Sequence, residues 1–144
     1  MKPRTATKLL LSVVAAAGLL VATSPEAFAY SFEWNEAVDD GTGPGDYDTD
    51  VTCIDSVGAD VCFMPWGDKI WVYDGQADGA SAVARWYTDY GRWGTCRNAH
   101  GAGEWAFCNK DFAEGHTIYF RATQYDAGKD DYVGDESSLQ HSGT

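Results

Sequence analysis

The chain has 144 residues, 22 of them acidic against 10 basic, and aromatic residues make up 14% of it. That length holds one domain of ordinary size. The strong negative field argues against nucleic acid and membrane surfaces as partners.

Residues 1–29 read as a secretory signal peptide. Lys2, Arg4 and Lys8 precede an apolar run over 9–22, and Ala27-Phe28-Ala29 offers a small-x-small cleavage site. The apolar run is shorter than a comfortable membrane span. The expected product is secreted and extracellular, starts near Tyr30 and is a monomer. Three of the basic residues and one of the acidic ones fall in 1–29, which leaves seven against twenty-one and a formal charge of −14 for residues 30–144.

Residues 30–48 carry Phe32 and Trp34 and then turn acidic and glycine-rich, DDGTGPGDYD. Such a composition has little to bury and predicts a flexible acidic arm. A single β domain is expected over 49–133. Its strands are read at 50–55, 60–64, 69–74, 80–87, 94–99, 104–109 and 116–124, with a weak one at 131–133, each bounded by glycine or proline signals. Short strands at this spacing predict an all-β fold, an antiparallel β-sandwich or small barrel of about seven or eight strands. The polar tail 134–144 reads as disordered.

The stretch 68–87 reads as a central β-hairpin. Pairing Asp74 with Ala80 sets Val72 against Ala82 and Ile70 against Ala84, large residues against small ones. The other face then gathers Lys69, Trp71 and Tyr73 with Val83 and Arg85. Trp71, Tyr73, Arg85 and Tyr87 become candidate binding residues on an open aromatic face.

Four cysteines in a small exported domain imply two disulfides. Cys53 and Cys62 are equidistant from the turn at Val57-Gly58. Cys96 and Cys108 are equidistant from Ala102, inside a Gly-Ala-Gly turn. Hairpin geometry therefore pairs Cys53 with Cys62 and Cys96 with Cys108, each across adjacent strands. No C-x2–4-C pair exists, so zinc is not expected.

At these residues the chain resembles a group of small secreted proteins from Streptomyces-type actinobacteria. The shared elements are VCF…GDKIWVYD, then DG-x-SAVARW, then GTCRN-x2-G-x-GEW-x2-CNKDF-x-EG, then I-x-FRA, over about Asp60 to Ala122. The group has no established activity, so the resemblance implies a fold and no catalytic residues. A secreted actinobacterial amylase inhibitor has two disulfides and a Trp-Arg-Tyr motif. Here the order is Arg85-Trp86-Tyr87, and that activity is not carried over.

Catalytic chemistry has little to stand on. A nucleophile needs a base and an orienting group. The three histidines are His100, which the expected turn sets near Glu104, His116 at a strand start, and His141 in the tail. No metalloprotease, nucleotide or serine-hydrolase motif is present. The acidic clusters Asp46, Asp48, Asp50 and Asp126, Asp130, Asp131, Asp135, Glu136 read as solvated loop charge rather than a calcium site. No cofactor or metal is implied. The sequence thus points to a non-catalytic binding domain that recognises an extracellular protein, of inhibitor or interaction type. A carbohydrate-binding module using an aromatic face is the first alternative, and a small secreted hydrolase the second.

Overall fold

The computed structural model describes residues 30–45 and 50–144; the expected signal peptide over 1–29, and Asp46 and Asp48, lie outside them. Among the described residues ten strands form two sheets. They are β1 (Glu33–Glu36), β2 (Thr52–Ser56), β3 (Ala59–Met64), β4 (Lys69–Asp74), β5 (Ser81–Thr88), β6 (Trp93–Asn98), β7 (Trp105–Asn109), β8 (Thr117–Asp126), β9 (Asp131–Val133) and β10 (Gln140–Gly143). The smaller sheet has the order β2-β3-β4-β7, and the larger one β1-β6-β5-β8-β10, with β9 also on β8. The expected all-β sandwich-like fold, stapled by two disulfides, is borne out.

The two sheets bury one apolar layer between them. Val61, Phe63, Ile70 and Val72 come from the smaller sheet, and Ala84, Trp86, Ile118 and Phe120 from the larger. Alternation explains the split. Along β5, Ala82, Ala84 and Trp86 point inward while Arg85 and Tyr87 point out.

The central hairpin does not form. β4 pairs with β3 and β7 in one sheet, and β5 pairs with β6 and β8 in the other. Residues 75–80 cross from sheet to sheet instead of turning back. The size match misled the reading: alanines opposite Ile70 and Val72 suit face-to-face packing across about 10 Å as well as they suit strand pairing.

A further crossover sits between β6 and β7. Cys96–Cys108 is therefore a bridge between sheets, with Cα atoms 5.9 Å apart, rather than a hairpin link. Cys53–Cys62 joins directly opposed residues of β2 and β3. Buried Asn98 holds the crossover: its Nδ2 donates to the Val72 carbonyl at 3.0 Å and the Glu104 carbonyl at 2.8 Å, and its Oδ1 accepts from the His100 amide at 3.0 Å. The His100 ring donates Nε2–H to the Ala37 carbonyl at 2.8 Å rather than pairing with Glu104.

Two segments expected to be loose are strands. β1 lies parallel to β6, and β10 pairs antiparallel with β8. Glu33 explains why the supposed arm docks. It accepts from Arg92 Nε at 2.9 Å and Lys110 Nζ at 2.7 Å, and Lys110 is itself buried beside the Trp86 ring. Burial alone would raise the Glu33 carboxyl, but the bonds from Arg92 and Lys110 outweigh it and hold it below its ordinary value. Gly94 is required where β1 arrives, since a Cβ there would stand 2.2 Å from the Glu33 carbonyl oxygen. The chain then passes to the smaller sheet: Ala37 is buried in the core, and Val38 bridges to Phe107 of β7. One continuous segment thus closes an open side of the sandwich.

One feature of the smaller sheet works against stability. Asp55 and Asp60 face each other directly across β2 and β3. Burial, and secondarily the Asp55 charge, raise the Asp60 carboxyl above its ordinary value. The folded state therefore holds this proton more tightly than the unfolded chain. The resulting penalty is absent below the unfolded value near 3.8, sets in as pH rises through the raised value and persists above it. Asp60→Asn is expected to stabilise by about 0.5–1 kcal/mol at pH 7. Thermal melts at pH 7 and pH 3 check this: the gain belongs at pH 7 only, and an equal gain at both would assign it to something other than charge.

Candidate functional site

The outward face of the larger sheet is the most developed surface of the domain. Strand register builds it in rows. Trp93 of β6, Tyr87 of β5, Tyr119 of β8 and His141 of β10 are successive neighbours in one row. Thr95, Arg85 and Arg121 form the next, with Trp34 of β1 beside Thr95. Arg97, Val83 and Thr123 form a third.

The third row is roofed. Trp34 and Tyr125 meet edge-on with ring centres 5.0 Å apart, and the Arg97 guanidinium lies 5.4 Å from the Tyr125 ring. Val83 and Thr123 are buried although they point outward, as is Thr95 of the second row. The first row is open. Tyr87 and Tyr119 stack with ring centres 4.9 Å apart and planes 12° apart. Trp93 is 48% exposed and packs on Phe32, ring centres 4.8 Å apart. Phe32, Tyr87 and Trp93 border a concavity of about 700 Å³ whose polar wall is Arg85, Arg121 and Glu136.

The polar wall is internally bonded. Arg85 Nη1 donates to Glu136 Oε1 at 2.8 Å, and Arg121 Nη1 donates to Oε2 at 3.3 Å. The Arg85 guanidinium also rests 4.8 Å from the Tyr132 ring. Burial raises the Tyr132 phenol above its ordinary value, so it stays a neutral hydroxyl at physiological pH.

The four residues singled out from the sequence are not one site. Arg85 and Tyr87 belong to this face. Trp71 and Tyr73 lie on the outward face of the smaller sheet, on the other side of the sandwich. Trp71 is only 2% exposed there and packs on Phe107, ring centres 4.8 Å apart. Tyr73 is half-buried against Trp105. The separation follows from the crossover at 75–80.

Sequence reasoning passed over Phe32, Trp34, Trp93, Tyr119, Arg121 and Glu136 as members of one face. The alternation Tyr119, Arg121, Thr123 was a usable signal. Phe32, Trp34 and Glu136 sit in segments read as loose, and their placement depends on long-range pairing.

Other candidates resolve as local structure. His116 Nδ1 pairs with Asp89 at 2.8 Å on the surface, beside the Tyr90 ring. Asp126 binds Lys129 and caps the turn at Gly128, and Asp130 accepts from the Tyr125 hydroxyl. Among the described residues no group of three His, Cys, Asp or Glu could hold a metal ion, and no helix is long and apolar enough to cross a membrane. No protein-family model, curated protein or solved structure matches the chain.

Proposed function

We propose that this chain is a secreted, non-catalytic carbohydrate-binding domain working through the open aromatic row of its larger sheet. The observation that carries the reading is the aromatic platform of exposed Tyr87, Trp93 and Phe32 along one concavity, with Tyr119 stacked on Tyr87 beside it. A sugar ring has an apolar C–H face that lies on such a platform and hydroxyls at its rim. Arginine, glutamate and tyrosine groups at the wall can bond those hydroxyls, and an apolar floor with few polar groups is how small-ligand sites are built. The one carboxylate lining the concavity, Glu136, is tied to two arginines. That arrangement suits orientation better than proton transfer, so a hydrolase is not favoured.

A glycan array and pull-down on insoluble polysaccharides test the reading. Tyr87→Ala and Trp93→Ala are expected to weaken binding by about ten- to thirty-fold each, as anchor residues do, with melting temperature nearly unchanged. A silent array, or variants that bind as well as the parent, removes the proposal. An extracellular protein partner of inhibitor type is the competing reading. It rests on the wider footprint that Trp34 and Tyr125 add, and array silence would favour it.

A further inference from the structure

Arg85 and Arg121 stand directly opposite one another on β5 and β8. Like charges in such a cross-strand position repel. Glu136 is set between them, one oxygen to each arginine. A guanidinium carries five N–H donors in a planar fork that matches a carboxylate edge. Among the described residues only one nitrogen of each arginine reaches Glu136, and the two side chains remain 49% and 39% exposed. Three of the four arginines in residues 30–144, Arg85, Arg97 and Arg121, project from this face of a domain with a formal charge of −14.

Resting on the glycan reading, we propose that the face takes an acidic sugar. A hexuronate carboxylate sits between Arg85 and Arg121, and its ring lies on the Tyr87 and Trp93 side of the concavity. Glu136 is an internal stand-in for that carboxylate and gives way to it. The overall negative charge does not forbid this. Nucleic acid must be neutralised phosphate by phosphate along a broad surface, whereas one carboxylate needs only one pair of guanidinium groups. At physiological salt, charges beyond about 8 Å are largely screened, so the nearby arginines dominate.

The test is calorimetric titration of the purified protein with tetragalacturonic acid, with uncharged cellotetraose and with a sulfated tetrasaccharide, all in EDTA. The uronate is expected to bind about tenfold tighter than the neutral chain, the gain of charge-assisted hydrogen bonds. Arg85→Gln and Arg121→Gln each remove most of that advantage, so that uronate and neutral chain bind nearly alike. Arg85→Lys, which keeps the charge and loses the fork, also weakens uronate binding, and Glu136→Gln strengthens it. Melts of each variant verify the fold.

Equal affinity for uronate and neutral chain overturns the inference, as does a sulfated chain that binds as tightly as the uronate. Weaker uronate binding by Glu136→Gln overturns the stand-in role. Silence from all three probes sinks the acidic-sugar assignment alone; the glycan reading falls with it only if the array is silent too.

Discussion

A chain that begins at Asp39 is expected to lose cooperative unfolding, or to melt more than about 15 °C below the chain that begins at Tyr30. The deletion removes a whole parallel strand and the buried Ala37, and it uncovers the edges of β6 and β7 together. It also strips the carboxylate from buried Lys110 and from Arg92. An uncompensated buried charge costs about 3–5 kcal/mol in itself. That is a large part of the about 5–15 kcal/mol by which domains are stable.

Glu33→Gln isolates the electrostatic share. It should cost about 2–3 kcal/mol at pH 7, somewhat below the fully buried case because Glu33 is partly solvated. Its folded-state carboxyl lies below the unfolded value of 4.5, so the contribution is full above 4.5 and fades as pH falls through the folded value. Parent and variant should therefore converge in acid. Melting curves from pH 7 to pH 2 decide it. A chain starting at Asp39 that melts like the full one would return residues 30–38 to the role of a dispensable arm.

Trp71→Ala is expected to destabilise by about 3–5 kcal/mol, the range for truncating a large buried aromatic. Trp71 looks outward from its sheet yet is 2% exposed. Phe107 packs against it at a tilt, and the Lys69 ammonium lies 5.6 Å from its ring. Beyond Phe107, Gly43 runs against Trp105, where an added Cβ would meet the indole at 3.1 Å. The acidic segment after β1 thus passes over the edge of this face. The Trp71 indole N–H has no partner among the described residues, so the residue contributes through packing. Trp71→Phe should then recover most of the loss. Tyr87→Ala, on the open row of the other sheet, should stay within about 1 kcal/mol of the parent. Denaturant titrations of the three variants compare them directly. A Trp71→Ala protein as stable as the parent would mean that this face is surface and available to a ligand.

These two expectations mark where the sequence could be read and where it could not. Strands β2 to β9 were legible because each is a run of β-branched and aromatic residues between turn signals, and those signals are local. Both cysteine pairs could be proposed from spacing, but spacing does not distinguish a hairpin link from a bridge between sheets, and Cys96–Cys108 is the latter. Sheet membership was illegible for a related reason. Ile70 and Val72 opposite alanines satisfy strand pairing and face packing equally, and six residues at 75–80 are enough to cross. β1 and β10 were missed because EWNE and QHSG lack any strand signature of their own. They become strands by completing the hydrogen bonds of β6 and β8. The candidate face inherits that limit: Tyr87, Tyr119 and Arg121 show in local alternation, while Trp34 and Glu136 arrive with distant segments.

The closure of the larger sheet by both ends of the described chain has a consequence for how the protein acquires its structure. The meander β2-β3-β4 pairs neighbours in sequence and can form early. β1 must wait for β6, about sixty residues downstream, and residues 117–120 of β8 gain their outer partner from β10. The larger sheet is therefore expected to complete after the meander. Pairings this distant in sequence slow the search for the folded state. A chain cut before β10 would leave the 117–120 edge of β8 bare, with Ser137 left to hold the Glu136 loop against Ala122.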